Sequence, residues 1–168
     1  MNASELRALQ APFKERYRVD PLAARVSARA EAVLDPAGMR VNLAPRPPVA
    51  GLHRAAGGAT QTACSADMLL EALATCAGVT LLAVATSSDV VLTGGRVIAE
   101  GVWDARGTLG VDKTVPIGIQ DITLAFELDT RADRAVQQRL VSLTERYCVI
   151  LATLQSASKV AVTIQNRL

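Results

Sequence analysis

The segment from Asp67 to Ala85 constrains this chain more than any other. Leu69, Ala72, Leu73, Cys76, Val79, Thr80 and Ala83 fall on one face of a helix, and Met68, Leu70, Ala74, Ala77 and Leu81 fall on the opposite face. A helix apolar nearly all round is expected to be buried on every side, so the remaining elements must wrap it. Its most apolar part, Cys76 to Ala85, carries Thr80 and ends at Thr86-Ser87-Ser88-Asp89. That is short of the roughly 18 continuous apolar residues needed to span a bilayer. Ser65 reads as its N-cap, and Asp67 sits in the first turn, where the helix dipole favours an anion.

The 168 residues are 50% hydrophobic and 20% charged, which excludes a disordered chain and suits one domain. A net charge of +2 is too small to suggest a nucleic-acid partner, and 3% aromatics leave no base-stacking surface. The opening MNASELRALQ has charges where a signal peptide has its apolar region. The expectation is a soluble, cytoplasmic protein with no membrane contact.

Around the central helix the pattern is strand-like. Met1 to Arg18 reads as a helical or extended arm in which Pro12 limits any helix spanning it. Ala24 to Val33 alternates small or apolar with polar residues, and Asp35-Pro36-Ala37-Gly38 is a turn with Pro and Gly at favourable positions. Met39 to Ala44 returns as the second strand of a hairpin. Pro45-Arg46-Pro47-Pro48 then begins a loop that runs to about Thr62. Strands follow over Val90 to Ala105 and Asp121 to Leu128, with Gly107 to Gly118 as loop between them. Thr130-Arg131-Ala132-Asp133 reads as a capping box opening a second helix, with Val136, Leu140, Leu143, Tyr147 and Leu151 on one face. Lys159 to Gln165 alternates again and reads as a closing strand. The order predicts an α+β fold with largely antiparallel sheets around two long helices. The expected organisation is a single domain over 1–168: an arm at 1–23, hairpin and loop at 24–62, and a core at 63–168 carrying both helices. The hairpin has too few large apolar residues to stand alone, so it must pack on the rest of the chain or on a second subunit.

Three cysteines without a secretion signal argue for free thiols. Cys64, Cys76, Cys148 and the single histidine, His53, lack the short spacings of a metal site, and no metal or other cofactor is expected. A hydrolase using His53 as base would need a nucleophile elbow that is absent. Gly57-Gly58 and Gly94-Gly95 lack the context of a phosphate loop. Lys14-Glu15-Arg16-Tyr17-Arg18 reads as a solvated face, and Trp103 as a core or interface residue. Cys76 and Cys148 each read equally as small core hydrophobes. The pair is more telling, because each is centred on one of the two long helices. Packed together, those helices could bring the sulfurs within disulfide reach.

Asp67-Met68-Leu69-Leu70-Glu71-Ala72-Leu73-Ala74-Thr75-Cys76 resembles the helix of the OsmC/Ohr family that carries its peroxidatic cysteine. Thr144-Glu145-Arg146-Tyr147-Cys148-Val149 resembles the segment carrying its second cysteine. The resemblance runs from about Arg25 to Leu168. It departs from the family pattern at Val149, where Pro is common, and at Ser65-Ala66-Asp67, where the family has Pro-Glu or Pro-Met-Glu, marking a divergent branch. The resemblance implies an intertwined homodimer with active sites at its interface and thiol-dependent reduction of organic hydroperoxides. Cys76 is then the peroxidatic residue and Cys148 its resolving partner. The family's arginine, from the N-terminal hairpin, matches Arg40 best, with Arg29 as alternative, and the carboxylate that holds it matches Asp67. The implied partners are a small hydrophobic peroxide and a dithiol reductant. Cys64 is an additional thiol beside a helix N-terminus. The competing expectation is a non-catalytic dimer of this fold that binds a small apolar ligand or a partner.

Overall fold

A computed structural model describes residues 3–45, 49–59, 61–156 and 158–165. The N-terminal helix α1 spans Ala3–Val19 and passes through Pro12, against the expectation that proline would limit it. Pro12 is exposed, so water can satisfy the carbonyl that its missing N–H leaves free. After a 3₁₀ turn at Pro21–Ala24, strand β1 (Arg25–Asp35) pairs with β2 (Arg40–Leu43). Gly38 N–H donates to Asp35 Oδ1 in the turn, but the left-handed residue is Met39, at φ 48°. A Cβ at Gly38 would lie 2.7 Å from Asp35 Oδ2, a side-chain tip that can shift to make room.

Helix α2 spans Ser65–Ser87, β3 Gly94–Asp104, the one-turn helix α3 Ala105–Thr108, and β4 Gln120–Asp129. The four strands form one antiparallel sheet in the order β2-β1-β3-β4. The fold is therefore α+β with antiparallel pairing. Small residues decide how the helix sits on the sheet. Ala28, Ala30 and Ala32 of β1 and Ala99 of β3 are buried, and Leu70, Leu73 and Ala74 of α2 lie on them. Gly78 lets the hairpin approach α2 closely, because a Cβ there would stand 2.7 Å from Val41 Cγ1. On the outer face, Arg29 bridges Glu31 and Glu100, and Arg96 bridges Glu31 and Glu127, lacing three strands with exposed ion pairs.

Several expected boundaries move. Cys64, not Ser65, is the N-cap of α2, and it makes no side-chain cap bond. Asp133, not Thr130, caps α4 (Arg134–Tyr147), accepting from Val136 N–H. Thr130 instead donates to the Val91 carbonyl. The expected second helix is two helices, with α5 (Val149–Gln155) following a break at Cys148. Nor is α2 buried on every side: Leu70, Leu73, Ala77 and Leu81 are covered, whereas Leu69, Val79 and Ala83 are exposed and Ala72 and Cys76 half-buried. The segment 159–165 pairs with no strand, leaving Val160, Val162 and Ile164 at 83, 88 and 90% exposure. Among the described residues nothing covers that segment or that helix face. Among the described residues α2 is the one helix long and apolar enough to cross a membrane. Here it is the core helix, with half of that apolar window buried.

Candidate functional site

Cys76 lies midway along α2, on the boundary between its covered and open faces. Thr80 donates to the Cys76 carbonyl, as expected of a threonine one turn on, and leaves the thiol itself unengaged by that bond. Cys148 reaches the same place from the other side. Leu140, Thr144 and Cys148 recur at four-residue intervals on the α4 face turned to the core, and all three are buried. Thr144 satisfies its hydroxyl on the Leu140 carbonyl, and its own carbonyl accepts from Cys148 N–H. Cys148 then leaves the helical region at φ −73°, ψ 110°, so it closes α4 and opens α5 at once.

Cys148 is fully buried in a cluster of Leu34, Leu81, Leu92, Val97 and Leu140, and Cys76 packs against that cluster. Its thiol is pushed up from the usual cysteine value, chiefly because burial penalises the thiolate. The Leu151 and Ile150 N–H groups at the start of α5 oppose this, without the geometry of a side-chain cap bond. The Cys76 side chain adds to the upward shift through hydrogen bonding and charge. The two thiols are thus close enough to influence each other, and all three cysteines are free.

The other expected residues sit elsewhere in this chain. Arg40 Nε bonds Asp35 Oδ2 at 2.7 Å across the hairpin turn, with its side chain 71% exposed. Arg29 is engaged by Glu31 and Glu100 on the outer face of the sheet. Asp67, in the first turn of α2, acts electrostatically on His53. Among the described residues no cation is one of the groups that shift Cys148. Cys64 is half-buried at the head of α2. Among the described residues no cluster of three or more His, Cys, Asp or Glu could hold a metal ion.

The family model described as OsmC-like protein matches residues 58–163, which include both cysteines and the helices that bear them. The chain belongs to the OsmC-like family. The solved structure of an OsmC-like hydroperoxide resistance protein from Jannaschia sp. CCS1 is similar in fold. Its TM-score is 0.63 at 16% identity, covering 85% of this chain and 95% of that one. No curated protein matches. The family match leaves α1, β1 and β2 outside its range, so the hairpin that packs on α2 lies beyond it.

Two features were hidden in the sequence. The break at Cys148 was masked because Leu143, Tyr147 and Leu151 continue the helical spacing through it. The available signal was Tyr147-Cys148-Val149, three weak helix formers in succession. Cys64 at an N-cap carried no signal, since cysteine is not a capping residue.

Proposed function

We propose that this OsmC-like protein is a thiol-dependent peroxidase acting on small hydrophobic hydroperoxides. The observation that carries the reading is that Cys76 packs against the apolar cluster enclosing Cys148 and that its side chain acts on the Cys148 thiol. The Cys76 thiolate attacks the distal peroxide oxygen, and the O–O bond breaks. Cys76 becomes a sulfenic acid, and the leaving alkoxide takes a proton to depart as an alcohol. The Cys148 sulfur then attacks the Cys76 sulfur; a disulfide forms and the sulfenic oxygen leaves as water. A dithiol reductant exchanges with that disulfide, returns both thiols and is itself oxidised to a disulfide. Because the sulfurs are already neighbours, the second step needs no local unfolding. A buried Cys148 with a raised pKa stays a thiol until the sulfenic acid appears beside it.

The functional unit in this reading is a homodimer. The open α2 face (Leu69, Val79 and Ala83 beside half-buried Ala72 and Cys76) and the alternating Val160, Val162 and Ile164 lack cover among the described residues. A second copy would cover them, closing Cys76 into an apolar cleft that favours an alkyl peroxide over hydrogen peroxide. Arg40, or Arg29, and Asp67 are the proposed cation and its carboxylate. For either arginine to serve Cys76 it must exchange its present carboxylate for that site.

That engagement of both arginines favours a second reading, a non-catalytic dimer that binds a small apolar ligand. A thiol-alkylation pH profile separates the two. A Cys76 that reacts as a thiolate well below pH about 8.5 supports the peroxidase. Reactivity no greater than that of a free thiol removes the peroxidase reading and leaves the binding protein.

A further inference from the structure

Helix α1 is held to the body of the protein by few contacts. Of its described side chains only Tyr17 is buried, while Phe13 and Lys14 are half-covered and most others face solvent. Tyr17 donates its hydroxyl to the Ala55 carbonyl at 2.8 Å. The N–H of the same residue, Ala55, donates to Nδ1 of His53 at 3.1 Å, forming the cap of the 3₁₀ turn Arg54–Ala56. The anchor of α1 therefore rests on a residue, Ala55, that the only histidine of the chain holds in place through its N–H. Two details fix the arrangement. Leu9 of α1 lies on Gly57, where a Cβ would stand 2.9 Å from its Cγ and φ is 84°. The His53 ring meets Trp103 edge-on, with centroids 5.1 Å apart.

An Nδ1 that accepts a hydrogen bond is unprotonated, so the bond to Ala55 exists only while His53 is neutral. Protonation converts Nδ1 to a donor and sets two N–H groups against each other.

We propose that His53, Ala55 and Tyr17 form a latch that keeps α1 docked at neutral pH and releases it in acid. The surroundings suit that role. Burial lowers the His53 pKa most, Asp67 of α2 raises it, and Arg54 of its own turn lowers it. From β3 it faces the uncharged Trp103 indole, and from α1 comes Tyr17, itself under the influence of Arg16 and Asp104. A lowered histidine pKa fixes the sign. Docking is unaffected above the ordinary value near 6.5, and it weakens as pH falls below that, until His53 is protonated in the docked state as well.

Hydrogen exchange of the α1 amides on the full chain, corrected for the intrinsic pH dependence of exchange, tests the latch, with α2 amides as internal reference. Between about pH 7.5 and pH 5, α1 exchange is expected to rise about fivefold, the worth of one ordinary hydrogen bond, with α2 unchanged. His53→Asn, whose Oδ1 accepts from Ala55 but does not titrate in this range, keeps α1 protected at both pH values. Tyr17→Phe leaves α1 fast at both. The His53 ring titration in the unaltered protein must share its midpoint with the α1 response, a check that needs no variant. A pH-independent α1, a His53→Asn protein that still responds, or a mismatch of midpoints would each overturn the latch. A change in the fluorescence of Trp103, the sole tryptophan, without α1 release would do the same.

Discussion

At the scale of single residues, the two cysteines differ in what surrounds them, and that difference predicts different phenotypes. Cys148 is fully enclosed, whereas Cys76 keeps access to the open side of α2. Cys76→Ser is expected to abolish peroxide consumption while leaving the fold intact, because serine is nearly isosteric; circular dichroism and a peroxide assay read the two effects. Cys148→Ser is expected to consume one equivalent of hydroperoxide and stop at the sulfenic acid or beyond, which intact mass resolves. Continued turnover of that variant with a dithiol would show that Cys64 or the reductant itself resolves the intermediate. Stability should follow burial. Leu73 has no exposed surface against Ala28, Ala30 and Ala32, so Leu73→Ala is expected to cost about 2–5 kcal/mol in urea unfolding. The exposed ion pairs of Arg29 and Arg96 should matter little there, because solvent screens them.

At the scale of elements, α2 and the hairpin are tied together by what Gly78 lacks. Gly78→Ala gains about 1 kcal/mol of helix propensity but drives a Cβ into Val41, whose branched side chain has little freedom to yield. Overpacking of this kind costs about 1–3 kcal/mol, so a net loss of stability is expected in thermal unfolding. Asp133→Ala should cost about 1 kcal/mol by removing the α4 cap. The strands and both helical regions were legible in the sequence because alternation and helical spacing follow directly from which face is buried. Arg25–Asp35, Arg40–Leu43, Ser65–Ser87, Gly94–Asp104 and Gln120–Asp129 all fall within a few residues of their expected positions. What escaped was chemistry that periodicity does not encode. Apolar spacing runs unbroken through Cys148, although the backbone turns there. The all-round apolar pattern of α2 predicted full burial, yet it could not say whether its cover comes from this chain or another. The candidate site was legible as a pair of thiols; the partners of Arg40 and Asp67 were not, since an arginine on a hairpin can answer any nearby carboxylate.

At the scale of the whole molecule, the uncovered surfaces are the ones that the proposed second copy would cover. The segment holding Val160, Val162 and Ile164, exposed at 83–90%, is an alternating apolar stretch without cover, and exposed apolar patches of this kind seek a partner surface. In the dimer reading, a chain ending at residue 156 is expected to sediment as a monomer or to lose cooperative unfolding, whereas the full chain sediments as a dimer. A full-length protein that remains monomeric at micromolar concentration would remove the second copy from the cleft around Cys76. The acid latch acts at the opposite end of the sequence, on α1, and stands or falls separately from the thiol chemistry.

The proposed pairing of the two sulfurs is tested most directly by chemistry that converts it into a bond. Reduced protein is treated with one equivalent of an organic hydroperoxide, quenched by alkylation and mapped by non-reducing peptide mass spectrometry. The expected product is an intrachain Cys76–Cys148 disulfide, formed faster than a model thiol oxidises, with Cys64 alkylated. Recovery of Cys76 and Cys148 both alkylated, or of a disulfide that uses Cys64 in place of Cys148, would contradict the account.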